Sequence, residues 1–197
     1  RFPKHRLVRK VIRSLNYPIA APSANISTKL SSVKASDVKE EFGNKIKFVL
    51  DGGTCKVGIE STIINLTGRP EILRLGGLEN SKIKKILKKP LRININSSKK
   101  NIPGQSKLHY SPGIPLRMNA NKPRKGEAYV ALKKINIKHK DFFYLSKKGS
   151  LNEVAKNLYG ILRKIKKRGY KSIAIEKIDN YGLGQTINDR LNRASKK

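Results

Sequence analysis

The run "SLNEVAKNLYGILRKIKKRG", residues 150–169, decides the fold class. Leu151, Val154, Ala155, Leu158, Ile161, Leu162 and Ile165 recur three or four positions apart, which places them on one stripe of an α-helix. Gly169 is the residue on which such a helix ends. The neighbouring segments read differently. "GEAYVAL" (126–132) and "DFFYLS" (141–146) before it, and "YKSIAIEKI" (170–178) after it, read as strands; "GQTINDRLNRAS" (184–195) reads as a terminal helix. Strands alternating with helices predict an α/β fold with parallel pairing.

The amino-terminal half carries shorter signals. "RLVRKVIRSL" (6–15) spaces Leu7, Val8, Val11, Ile12 and Leu15 as a helix, stopped at Tyr17-Pro18. Residues 18–21 read as a short strand. "SSVKASDVKEEFGNK" (31–45) predicts a second helix, with Ser36 as its cap, Glu40 near its first turn and Gly43 at its end. "IKFVLDGG" (46–53), "GIESTIINLTG" (58–68) and "EILRLGG" (71–77) read as strands closed by glycine turns, and "SKIKKILKK" (81–89) as a short basic helix. From Pro90 to Met118, with prolines at 103, 112 and 115, no period is sustained, as in a linker or a functional loop.

The 197 residues have room for one ordinary domain or two small ones. Lysine and arginine number 45 against 13 acidic residues, a net charge of +32. A basic surface attracts polyanions, so nucleic acid is the natural partner class. The lysines are spread over the whole chain and accompany abundant Ile and Asn, which is also the mark of compositional drift. A single cysteine, Cys55, excludes an intramolecular disulfide and fits a reducing, cytoplasmic setting. Three histidines and one cysteine make no metal-ligand pattern, so no protein-bound metal site is expected. No apolar run approaches the roughly 20 residues of a membrane-spanning helix, and no membrane partner is expected. The chain does not open on methionine, and the expectation is an N-terminally truncated piece of a longer protein.

Four constellations bear on chemistry. "PIAAPSANIS" (18–27) leads from small apolar residues into Ser23, Asn25, Ser27, Thr28, Ser31 and Ser32. Hydroxyls and an amide at a strand end suit phosphate, ribose or an amino-acid carboxylate, and they equally suit an ordinary loop before a helix. "LDGGTCKVGIESTI" (50–63) contains glycines of the kind that let backbone approach a phosphate, or that simply turn a hairpin. It lacks the ending of a Walker A loop. Arg74 in "LRLGG" (73–77) suits a phosphate clamp or a solvated strand face. "HYSP" (109–112) offers an imidazole and an aromatic ring to a nucleotide base, or packs a linker on its neighbour.

In this order, "PIAAPSANIS", "LDGGTCKVGIESTI", "LRLGG" and "HYSP" closely resemble the YrdC/Sua5 family of threonylcarbamoyl-AMP synthases, and "YGLGQTINDRLNRAS" (181–195) resembles the end of that family's Sua5 domain. The resemblance implies three regions. Residues 1–90 would be the C-terminal part of a twisted YrdC-like α/β catalytic domain, 91–118 a long irregular linker over the active site, and 119–197 a small Rossmann-like α/β Sua5 domain. It implies a nucleotidyltransferase that joins L-threonine, bicarbonate and ATP into threonylcarbamoyl-AMP and releases pyrophosphate, with Mg2+ accompanying ATP. A downstream threonylcarbamoyl transferase would carry the group to adenosine 37 of tRNAs reading ANN codons.

Carried over by motif, Ser23, Ser31, Arg74 and Tyr110 match positions that contact ATP. Arg1, Ala21 and Ser61 match positions that hold threonine, and Asn25 and Thr62 stand behind them. No acid–base or nucleophilic residue is implied; positioning and charge neutralisation do the work. Two departures stand out. The family has Ser-Gly where this chain has Ser27-Thr28, and Ser-Pro where it has Ser31-Ser32. The family's N-terminal half, with its Lys/Arg-rich phosphate-binding motif, has no counterpart, so the chain alone is expected to be incomplete for activity. The competing expectation is a non-catalytic RNA-binding module for tRNA or double-stranded RNA, motivated by the charge.

Overall fold

The computed structural model of the chain describes residues 3–95, 102–104, 106–134, 136 and 139–196. Among the described residues it is a mixed α/β structure with two sheets.

The amino-terminal unit begins with α1 (Arg6–Arg13), which buries none of its residues, so its apolar stripe of Leu7, Val8, Val11 and Ile12 lies part-exposed. Helix α2 (Ala35–Phe42) starts one residue before Ser36, which therefore sits inside its first turn rather than capping it. Asp37 does the capping work instead: its Oδ2 accepts the backbone N–H groups of Val33 at 3.0 Å and Lys34 at 3.3 Å. Gly43 ends the helix with φ +52°, as its sequence predicts.

Two expected strands are absent. Residues 18–21 and 46–53 run without a ladder. A strand needs a neighbour for its N–H and C=O groups, and these runs lie at the surface, with Phe48 91% exposed. The strands that do form are β1 (Ile63–Asn65) and β2 (Glu71–Arg74), paired antiparallel. After α3 (Asn80–Leu87), β3 (Arg92–Ile93) adds parallel to β2.

The carboxy-terminal unit has β4 (Leu116–Arg117), β5 (Glu127–Lys133), β6 (Phe142–Ser146), α4 (Leu151–Lys167), β7 (Ser172–Ile175) and α5 (Leu183–Ala194). Its sheet has the order β4-β7-β5-β6 and is parallel throughout. Strands β3 and β4 fall inside the stretch read as irregular, because two residues are too short to show a period.

On one face of this sheet, Ala128, Val130, Phe143, Leu145, Ile173 and Ile175 meet the apolar faces of α4 and α5. Val154, Ala155, Leu158, Leu162 and Ile165 of the predicted α4 stripe are buried, with Tyr159 beside them; each large aliphatic buried there contributes about 1.5–3 kcal/mol. Gly169, at φ +80°, follows the helix end. On the other face Tyr129, Ala131 and Ala174 pack with Ala120, whose carbonyl accepts the Tyr129 hydroxyl at 3.1 Å.

The two units share one core. Leu30, Val33, Ile59 and Tyr110 belong to the same buried cluster as α4 and α5. Gly58 makes this approach possible. It has φ +79°, and a Cβ there would stand 2.5 Å from the Lys156 carbonyl oxygen. The glycine in "KVGIE" thus brings backbone against α4.

Candidate functional site

The serine segment and the glycine-rich segment come together. They line a cleft of about 400 Å³ formed by Ser23, Ala24, Ser31, Ser32 and residues 55–60. Ser32 Oγ donates to the Ala24 carbonyl at 2.7 Å, which ties the two ends of the serine segment together. Ala21 and Ser23 are exposed at its start. Asn25 Nδ2 donates to the carbonyls of Ile26 at 2.9 Å and Lys29 at 3.3 Å, closing the loop between them.

Thr28, where the resemblance implies a glycine, has φ +70°. A β-branched residue pays a steric cost of about 1–2 kcal/mol in this region, and glycine pays none. Thr28→Gly is therefore expected to stabilise the protein by about 1 kcal/mol after the greater unfolded-state entropy of glycine is counted. Urea unfolding measures it; an unchanged or lower midpoint contradicts it.

Glu60, itself part of the cleft lining, belongs to a charge cluster that the sequence reading did not anticipate. Ser31 Oγ donates to Glu60 Oε1 at 2.5 Å. Glu60 Oε2 accepts from Arg190 Nε on α5 at 3.0 Å and from the Tyr159 hydroxyl on α4 at 3.4 Å. Arg190 is 0% exposed; it also donates to the Leu75 carbonyl at 2.6 Å and pairs with Asp189. Burial alone would raise the Glu60 carboxyl, but Arg190 and the Ser31 hydrogen bond hold it below the usual carboxylate range. Burial keeps the Tyr159 hydroxyl well above its ordinary value.

Tyr110 belongs to this cluster. Only 1% exposed and at φ +58°, it stacks on Tyr159 with ring centroids 5.7 Å apart, and the Arg190 guanidinium lies 4.8 Å over its ring. Burial pushes its phenol up to about 12. The linker is anchored on either side: Ser111 N–H donates to the Thr28 carbonyl at 2.9 Å, and His109 N–H to the Arg193 carbonyl at 3.5 Å; within it, His109 Nδ1 accepts the Tyr110 N–H at 2.9 Å. Burial holds the His109 imidazole below its usual value, with the surrounding arginines adding to the effect against Glu60.

Arg74 is 6% exposed, which overturns the alternative of a solvated strand arginine. Its Nε and Nη2 donate to the Ser61 carbonyl at 3.1 and 2.9 Å, and its Nη1 to the Pro103 carbonyl of the linker at 2.9 Å. Ser61 itself is exposed, its Oγ 3.3 Å from Arg74 Nη2. Thr62 Oγ1 donates to the Leu78 carbonyl at 2.7 Å and braces the strand start. Gly76 lets this layer close up, since a Cβ there would collide with the Ser61–Thr62 backbone. Arg1 lies outside the described residues.

Sequence signals for the missed residues exist. Arg190 stands at helical spacing among Leu183, Ile187 and Ala194, a charge in an apolar stripe, and it is buried there. Glu60 has no local signal, because its partners come from distant elements.

Residues 78–196 match the family model described as threonylcarbamoyl-AMP synthase, C-terminal domain, and residues 1–76 match the Sua5/YciO/YrdC model described as telomere recombination. Over 99% of its length the chain is 34% identical to the threonylcarbamoyl-AMP synthase of Pyrococcus abyssi and 29% identical to that of Bacillus subtilis, of which it covers 63% and 62%. It thus spans somewhat under two thirds of these relatives. Its fold is similar to that of P. abyssi Sua5 crystallised with L-threonine, with a TM-score of 0.84 at 33% identity, over 99% of this chain and 63% of that one.

Proposed function

We propose, since the chain belongs to the threonylcarbamoyl-AMP synthase family, that it forms part of an enzyme condensing L-threonine, bicarbonate and ATP into threonylcarbamoyl-AMP with release of pyrophosphate. The observation that carries this reading is the cleft lined by Ser23, Ser31, Ser32 and Glu60, in a fold similar to one crystallised with L-threonine. Threonine's amine adds to carbon dioxide and sheds a proton, or adds to bicarbonate and sheds water, to give the carbamate. The carbamate oxygen then attacks the α-phosphate, and pyrophosphate leaves. None of these steps needs a protein nucleophile; each needs reactants held in line and charge offset.

In this reading Ser23 and Ser31 contact ATP, and Ala21, Ser61 and Arg1 hold threonine. Asn25 keeps the serine loop in shape through the Ile26 and Lys29 carbonyls, and Thr62 braces Ser61. Arg74 serves ATP phosphate once its Nη1 leaves the Pro103 carbonyl, so nucleotide binding and linker release are coupled. Tyr110 serves through the same linker. Mg2+ enters on the nucleotide as part of the substrate. The product passes to a transferase acting on tRNA, and the basic surface suits that polyanion. A cytoplasmic setting fits the exposed free thiol of Cys55.

The full-length protein is expected to release pyrophosphate from ATP only when threonine and bicarbonate are both present, with threonylcarbamoyl-AMP detected by mass spectrometry. Threonine-independent turnover contradicts the reading. Salt-dependent tRNA binding that survives Ser61→Ala and Arg74→Ala, with no adenylate formed, favours the RNA-binding module instead.

A further inference from the structure

We infer that Glu60, held from the carboxy-terminal unit by Arg190, is a positioning residue that accepts the hydrogen bond of the Ser31 hydroxyl, so that Ser31 meets its ligand as a hydrogen-bond acceptor. Both Glu60 oxygens are occupied by donors: Ser31 on Oε1, Arg190 and Tyr159 on Oε2. A carboxylate so placed only accepts, and the one proton of the Ser31 hydroxyl is committed to it. What Ser31 has left for the cleft is lone pairs. They suit a substrate amine or hydroxyl and do not suit phosphate oxygens, which themselves accept.

A second arginine, part-buried, holds the same segment from α4. Arg163 Nη2 donates to the Leu30 carbonyl at 2.6 Å, and Nη1 to Glu41 Oε2 at 2.9 Å. Its Nη2 also lies 3.5 Å from Ser32 Oγ. The backbone of 30–32 is thereby held by one carboxy-terminal helix, and the sense of the Ser31 hydroxyl by the other. The carboxy-terminal unit would act on the cleft through these two arginines as well as through the linker.

This inference rests on the function proposed above for the identity of the ligand, but not for the sense of the hydroxyl. The hydroxyl is read in the native protein by NMR in water, where Ser31 is expected to show a slowly exchanging hydroxyl proton. Its absence overturns the inference without any variant. Glu60→Asp keeps a charge for Arg190 but draws the carboxylate back by about 1.5 Å, one carbon–carbon bond. It is expected to abolish that proton signal. It is also expected to weaken, about tenfold, the binding of whichever substrate Ser31 contacts.

Calorimetry with ATP and with threonine separately tells a base amine or ribose hydroxyl from an ammonium group. Ser31→Ala is expected to weaken the same substrate equally, and the double variant no further, since both changes remove one device. Multiplying effects, or unchanged binding of both substrates in Glu60→Asp, overturn the inference. Pyrophosphate release by the full-length protein reports on the proposed function alone, so the two failures are told apart.

Discussion

Arg190→Ala is expected to destabilise the protein by about 3–5 kcal/mol, the usual cost of removing one partner from a buried ion pair. The loss is large because the guanidinium serves several groups at once. It donates to Glu60 and to the Leu75 carbonyl, pairs with Asp189, and covers the Tyr110 ring. Without it Glu60 loses its charged partner, the Leu75 carbonyl loses a donor, and the Tyr110 ring loses its cation. Against a typical total of about 5–15 kcal/mol, this is a third or more of the stability.

Arg190→Lys is expected to recover little, because an ammonium cannot meet three acceptors spread around a planar fork. Urea unfolding of native protein and both variants measures this. A loss below about 1 kcal/mol for Arg190→Ala contradicts the central place given to the residue.

Gly58→Ala is the second large effect. At φ +79° any L side chain pays about 1–2 kcal/mol. Here the added methyl also stands 2.5 and 2.6 Å from the Lys156 and Ala155 carbonyl oxygens. These belong to the α4 backbone and cannot rotate away, so the two units must part locally, at a further cost of about 1–3 kcal/mol. The expected total is about 3 kcal/mol. Gly53 is the control: it has the same φ of +79°, but open space around its missing Cβ. Gly53→Ala is expected to show the conformational cost alone. Equal losses at the two glycines contradict the close approach to α4.

Both predictions concern features that local sequence conceals. The α4 stripe was legible because all its buried positions lie within one run of seventeen residues, and the strands around it because their length and turns were local. The expected strands at 18–21 and 46–53 failed for the opposite reason. Apolar, extended sequence is necessary for a strand, but a neighbour to pair with is not written in the run itself. Ser36 looked like a cap because it precedes an apolar period, yet Asp37 one residue on has the reach to take two backbone N–H groups.

The site divides in the same way. Ser23, Ser31 and Ser32 announced themselves as a cluster of small hydroxyls, and the cleft they line agrees with that. Glu60 stood in a quoted motif without a role, since its arginine partner is 130 positions away. Arg74 had the right chemistry for phosphate, but whether its donors face solvent, ligand or protein depends on where the linker lies. In this structure they are given to Ser61 and Pro103.

The sequence by itself determined the alternation of helix and strand in the carboxy-terminal unit, the parallel sheet that follows from it, and the order of motifs that marks the family. These rest on short-range periods and on residue types in succession. Only the tertiary structure decided that Gly58 spaces two units, that Arg74 holds a linker, and that Arg190 holds Glu60 in the wall of the serine cleft. A buried charge or a missing Cβ has meaning only through the atoms that surround it, and those arrive from elements far apart in the chain.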